Sequence, residues 1–218
     1  MQKIDAEIDP GAGPPPHLVF VGDLVDRGDD SADVVDHVHR LCGLYPDTVA
    51  CLMGNHERML LDFLDDPAKR GGRWLRHGGL QTIASYKLRT RLDVDARDAQ
   101  RLIDAAAELA QAMGAERLAW LRALPLSWRS GNLWVVHAAA QPATPMSAQS
   151  AQDLLWGVPE FADVIRRDGQ WVVHGHTPVD PPRVDGGRIA IDTGAVYGGM
   201  LSAARIDPNG HIAFLQTA

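Results

Sequence analysis

Residues 18–28 read LVFVGDLVDRG, and residues 51–59 read CLMGNHERM. Each is a short apolar run that stops abruptly at polar residues, as a buried strand does when it delivers polar groups to the end of a sheet. In the first, residues 18–21 end at Gly22, and Asp23, Asp26 and Arg27 follow. In the second, residues 50–53 end at Gly54, and Asn55, His56, Glu57 and Arg58 follow. Both glycines suit a backbone that turns sharply or passes close to a neighbour. Oxygen donors and an imidazole beside an arginine suit a divalent cation and a phosphate group.

Between the two stretches, Ser31 is positioned to cap a helix carrying Val34, Val35, Val38, Leu41 and Cys42 on one face, closed by Gly43. Residues 48–53 then form the next buried strand, which makes a strand, crossover helix, strand unit with parallel pairing. Upstream, Ile4 and Ile8 lie one helical turn apart, and PGAGPPP at 10–16 cannot continue a helix, so a helix end and a linker are expected.

Downstream, Met59, Leu60, Phe63 and Leu64 continue a helix from His56 that Pro67 limits, and residues 69–73 read as a loop. Trp74, Leu75, Leu80, Ile83 and Tyr86 suggest a helical segment interrupted by Gly78 and Gly79. The clearest helix covers 96–113, where Leu102, Ile103, Ala106, Leu109, Ala110 and Met113 recur at helical spacing before Gly114. A shorter helix through Leu118 and Leu121 stops before Pro125. The reading is one domain over 1–218 with 59–125 as a mainly helical cap insertion.

The second half changes character. Residues 126–129 and 133–137 flank Ser130, Gly131 and Asn132, a hairpin signal, and 138–150 reads as a loop. Residues 171–173 form a strand ending in His174, Gly175 and His176, and further strands fall at 188–192, 200–206 and 211–216. Crossover strands first and antiparallel strands last predict an α/β fold, a two-sheet β-sandwich flanked by helices.

Composition bounds the function. At 218 residues, 45% hydrophobic and 22% charged, the chain matches a soluble globular domain. A net charge of -7 and a pI near 5.6 argue against a nucleic-acid or membrane-surface partner, which would need a basic face. Cys42 and Cys51 fall in a helix and a buried strand, as small hydrophobes of a reduced protein do. No run reaches the length of a membrane span, and MQKIDAEIDP lacks the features of a signal peptide, so a cytoplasmic location is expected.

Strand ends supply Asp23, Asn55, His137 and His176, a carboxylate, an amide and two imidazoles. This mixed set suits manganese, iron or zinc better than calcium or a structural zinc. Singly, an Asp after a Gly is an ordinary turn residue and a strand-end histidine an ordinary hydrogen-bonded one. Their joint occurrence at four strand ends points to a metal centre.

GDLVDRG at 22–28, GNHE at 54–57, the His137-Ala-Ala segment, GHTP at 175–178 and IDTGA at 191–195 resemble the calcineurin-like metallophosphoesterases. More narrowly, they resemble bacterial and phage serine/threonine protein phosphatases of the phosphoprotein phosphatase type. The resemblance implies a two-metal site on a β-sandwich, with Asp23 as the bridging carboxylate and Asn55, His137 and His176 as the other ligands of the second metal. It further implies His56 as general acid, Asp26 as the carboxylate that orients it and raises its pKa, and Arg27 as a phosphate clamp. The resemblance implies in-line attack by metal-activated water, with no covalent intermediate. Glu57 reads as a loop anchor, Arg58 as a surface charge, and His174 as a support for the ligands rather than one of them.

The pattern has departures. Relatives open with a strand ending in Asp-x-His-Gly, which this sequence lacks, and Asp5 and Asp9 have no histidine at the required spacing. By that pattern the first strand of the fold is expected to be missing, and one firmly held metal, manganese with iron or zinc as alternatives, is expected. Loss of that strand predicts reduced stability or a compensating homodimer. Ala139 stands where relatives have glycine, and Gly157, Val158 and Pro159 stand where a second phosphate-binding arginine is expected. The expected activity is hydrolysis of phosphate monoesters on a phosphoprotein or a small phosphorylated substrate. The alternatives are a dinucleotide polyphosphate hydrolase and a catalytically impaired phospho-ligand-binding module.

Overall fold

A computed structural model describes residues 15–217. The helix end expected at 1–9 and most of the linker at 10–16 lie outside the described residues. Two compact units are present: residues 15–21, 47–50 and 126–217 form one, and residues 22–46 and 51–125 the other.

The first unit holds the strands. β1 (Leu18–Phe20) neighbours β2 (Val49–Cys51), and Leu18 donates its N–H to Thr48 O at 2.8 Å. β3 (Ser127–Ser130) and β4 (Leu133–Val136) form the expected antiparallel hairpin. β5 (Trp171–His174), β6 (Arg183–Asp185) and β7 (Arg188–Ala190) complete a five-stranded sheet in the order β3-β4-β5-β7-β6. β8 (Ser202–Ile206) and β9 (Ile212–Gln216) pair antiparallel.

The expectation that the late strands are all antiparallel is corrected: β4, β5 and β7 run parallel. The reason lies in their side chains, because Val135, Val136, Val172, Val173, Ile189 and Ala190 are consecutive buried residues rather than an alternation. Parallel pairing needs a crossover, and the connection from β4 to β5 contains two short helices, Ala151–Trp156 and Glu160–Asp163, that the sequence reading missed. Leu154 and Phe161 from these helices pack with Val136, Ala139, Ala140, Met146 and Val172 in one core cluster.

The second unit is helical. Its first helix, α1 (Ser31–Leu44), begins one residue earlier than a Ser31 cap requires: Asp30 is the cap, and the Ser31 hydroxyl donates to Gly28 O at 3.3 Å. Gly43 does not close it, since the helix runs on to Leu44. α2 (Asn55–Asp65) is followed at once by α3 (Pro67–Trp74), which corrects the expected loop at 69–73. Pro67 is tolerated because it occupies the first turn, where its missing N–H costs no helical bond, and the Asp66 carboxylate accepts the Lys69 N–H.

A π-helical turn, Leu75–Gly79, broken at Gly78 with φ 108°, leads into α4 (Leu80–Ser85). α5 (Ala99–Met113) ends at Gly114, φ 80°, and α6 (Ala115–Ala123) follows. α2 packs against α3 and α5, and α1 against α4 and α6. Phe63, Trp74, Leu102, Leu109 and Met113 are fully or almost fully buried in this packing. Among the described residues no helix is long and apolar enough to cross a membrane. Cys42 and Cys51 are free thiols, and burial pushes the Cys51 thiol well above its usual range.

Candidate active site

In the helical unit, the loop at 22–28 and the start of α2 meet through two glycines. A Cβ on Gly22 would lie 2.5 Å from Gly54 N, and one on Gly54 would lie 2.3 Å from Asp23 Oδ1, so neither position admits a side chain. The fully buried Glu57 carboxylate ties the loops together by accepting the N–H groups of Asp23 (2.9 Å), Leu24 (2.6 Å) and Gly54 (2.8 Å). Its role as a loop anchor therefore has a direct geometric basis. Asp23 is exposed, adopts φ 57°, and accepts the His56 N–H on Oδ1 at 3.2 Å, a favourable place for a carboxylate at the first turn of α2. Asn55 is the first residue of α2 and is buried.

Asp26 and His56 form a buried pair, Nδ1 to Oδ2 at 2.7 Å. The remaining bonds of the Asp26 carboxylate come from downstream. The Trp74 indole N–H stands 3.0 Å from both oxygens, and the Thr82 hydroxyl donates to Oδ1 at 2.7 Å while accepting the Asp26 N–H at 2.9 Å. Burial opposes charging of the His56 imidazole, but the Asp26 hydrogen bond with the charges of Asp23 and Asp26 outweighs it, and its pKa stands above the ordinary value. Arg27, φ 64°, is half-buried and donates its backbone N–H to Gly78 O at 3.2 Å. Arg58 pairs with Asp62 at 2.9 Å on the outer side of α2, which makes it a surface charge.

In the strand unit, β4 and β5 deliver the histidines. His137, just past β4, is buried, and its Nδ1 donates to Val21 O at 2.7 Å in the neutral form of the ring. Nε2 then carries the lone pair, the arrangement a metal-ligating imidazole needs. His176 adopts φ 65°, and its ring lies edge-on to that of His137 at 5.1 Å. Gly175 donates its N–H to His137 O at 2.8 Å and so fixes one histidine turn against the other. His174 points elsewhere, meeting Phe161 edge-on at 4.9 Å; burial, with the charges of Arg188 and Arg183, pushes its pKa down to about 4, although a bond to Gly175 O opposes this.

Two departures gain a physical account. Ala139 is not among the residues with positive φ and sits in the core cluster, so the missing glycine imposes no backbone penalty there. Gly157, φ 85°, ends a helix and Val158 packs on the same cluster, so packing accounts for the segment that stands in the arginine's place. From the sequence Trp74 and Gly78 read only as part of an interrupted helical pattern and Thr82 was not named, so none of the three was assigned to the site. The signal that could have found them was the Gly78-Gly79 pair inside a helical pattern, a mark of close backbone approach.

The structure thus gathers Asp23, Asp26, Arg27, Asn55 and His56 in one unit and His137 with His176 in the other. Carboxylate, amide and imidazole groups are each ligand types that divalent cations accept. The sequence profile of the calcineurin-like phosphoesterases matches residues 2–180. The chain belongs to the calcineurin-like phosphoesterases.

Among relatives, a Geobacillus thermodenitrificans protein named bis(5'-nucleosyl)-tetraphosphatase PrpE is 31% identical over 205 residues, which is 86% of this chain and 74% of the relative. Serine/threonine-protein phosphatase 1 of Salmonella typhimurium is 32% identical over 198 residues, 87% of this chain and 78% of that one. A solved serine/threonine phosphatase from Saccharomyces cerevisiae, described as similar to human phosphatase PP5, aligns with a TM-score of 0.60 over 100% of this chain and 75% of its own. At 17% identity that likeness concerns the fold, an α/β arrangement of mixed sheets and helices. Membership makes the chain a phosphoester hydrolase that works with a divalent metal.

Proposed function

We propose that this phosphoesterase hydrolyses phosphate monoesters in the manner of serine/threonine protein phosphatases, acting on a phosphoprotein or a small phosphorylated substrate in the cytoplasm. The observation that carries the reading is the buried Asp26–His56 pair at 2.7 Å. With Nδ1 held by Asp26, the proton on Nε2 of the imidazolium is the one given to the leaving oxygen. The hydrogen bond to Asp26 and the charges of Asp23 and Asp26 raise the imidazole pKa against burial, which favours the protonated ring. Arg27 binds the phosphoryl oxygens and offsets their growing charge. Asp23, Asn55, His137 and His176 are the proposed ligands of a divalent cation, manganese or in its place iron or zinc. When bound, such a cation supplies Lewis acidity toward the phosphoryl group and lowers the pKa of water.

A second reading, hydrolysis of a dinucleotide polyphosphate, is favoured by the name of the Geobacillus relative. Product analysis separates the two. The chain is incubated with manganese and either a phosphopeptide or a dinucleotide tetraphosphate, beside Asp23→Asn. Phosphate release from the peptide that vanishes in the variant supports the first reading; cleavage of the dinucleotide alone selects the second; turnover unaffected by Asp23→Asn would remove the ligand assignment.

A further inference from the structure

The segment 74–82 holds Asp26 and Arg27 more extensively than packing requires. Trp74 ends α3 and Thr82 lies in α4, with the π-helical turn and the Gly78 break between them. In an unbroken α-helix residues eight apart would stand about 12 Å apart along the axis, more than two turns. Here the break brings both donors to one carboxylate, Trp74 Nε1–H at 3.0 Å from each oxygen and Thr82 Oγ1–H at 2.7 Å from Oδ1. A π-type irregularity at such a place commonly accompanies a functional site.

The segment itself is held firmly. The Trp74 ring stacks on Phe63 with centroids 4.6 Å apart, and a Cβ on Gly79 would lie 2.6 Å from the Trp74 indole. A Cβ on Gly78 would lie 2.6 Å from Arg27 N, the group that donates to Gly78 O. Trp74 and Thr82 are both fully buried. Asp26 and Arg27 adopt φ 75° and φ 64°, a region that side-chain-bearing residues hold only when their surroundings fix them. The Thr82 hydroxyl supplies both constraints at once, since it binds the Asp26 N–H and the Asp26 carboxylate.

We infer that Trp74 and Thr82 are positioning residues for the reaction: they fix the rotation of the Asp26 carboxylate so that Oδ2 meets His56 Nδ1 and the imidazole presents Nε2 to the leaving oxygen. The inference rests on the proposed acid role of His56. It assigns Trp74 and Thr82 to leaving-group protonation rather than to phosphate or metal binding. A misoriented acid matters most when the leaving oxygen is a poor one, because an activated leaving group departs with little protonation.

The test compares an alkyl phosphate with an activated aryl phosphate in the full chain with manganese, using Trp74→Phe, Thr82→Val and Thr82→Ser, beside His56→Asn. Trp74→Phe keeps an aromatic ring against Phe63 and loses the N–H; Thr82→Val keeps the shape and loses the hydroxyl; Thr82→Ser restores it. Expected is a kcat on the alkyl phosphate roughly ten-fold lower for Trp74→Phe and Thr82→Val, a loss under about three-fold on the aryl phosphate, KM little changed, and recovery in Thr82→Ser. Equal losses on both substrates, or a Thr82→Ser indistinguishable from Thr82→Val, overturn the inference. The Thr82 pair decides it alone where Trp74→Phe does not fold. If His56→Asn itself shows no dependence on the leaving group, the acid role falls, and the inference falls with it.

Discussion

Nδ1 of His137 lies 2.7 Å from the carbonyl oxygen of Val21, the residue just before the Gly22 turn. A short bond from a buried ring to a fixed carbonyl selects the tautomer with the lone pair on Nε2, and it does so before any ligand arrives. Replacing His137 by Gln removes that directed lone pair while leaving a polar side chain. Metal content after loading with manganese and desalting should fall at least about ten-fold, with activity falling in step. Equal metal content in the variant would take His137 out of the ligand set.

His56 should behave differently from His137. Its Nδ1 is bound to Asp26 and, in the proposed role, its Nε2 carries the proton given to the leaving oxygen, so its loss removes a proton donor and no metal ligand. His56→Asn is expected to lower kcat by about 10²–10⁴-fold with metal content unchanged. Elemental analysis alongside steady-state kinetics checks both halves. A parallel loss of metal would place His56 among the ligands instead.

The polar ends of the two opening stretches were legible because chemistry concentrates there: Gly22 and Gly54 mark the close approach, and Asp23, Asp26, Asn55 and His56 follow within a few residues. The major helices were legible for a similar reason, since Leu102, Ala106, Leu109 and Met113 repeat along one buried face. The support for Asp26 was not. Trp74 and Thr82 reach it from 48 and 56 residues away, and local periodicity carries no information about such contacts. The parallel run of β4, β5 and β7 was missed because a continuous apolar strand names no partner, and the short helices between β4 and β5 are too brief to show a period.

Glu57 offers a stability test free of catalysis. Its carboxylate accepts three backbone N–H groups from two loops with no exposure to solvent. Glu57→Ala leaves these donors unsatisfied and should cost about 3 kcal/mol or more, read as a lower denaturation midpoint in urea. Glu57→Gln keeps one acceptor oxygen and should fall between the two. A midpoint unchanged in Glu57→Ala would mean that water replaces the carboxylate without loss.

His174 gives the pH dependence of that stability. Its pKa is held down to about 4 by burial beside Phe161, helped by the Arg188 and Arg183 charges, against about 6.5 in an unfolded chain. The unfolded state therefore binds the proton more readily, and the group favours folding fully above pH 6.5, with that advantage lost as pH falls toward 4. The slope from this one residue approaches about 1.4 kcal/mol per pH unit inside the window, for a total on the order of 3 kcal/mol. His174→Gln removes the titration while keeping a side chain of similar size. Urea midpoints measured in a chelator between pH 7 and pH 4 should fall less steeply in the variant than in the parent. Parallel curves would show that His174 is protonated at little cost in the folded chain, which would require its ring to reach water that the packing of Phe161 excludes.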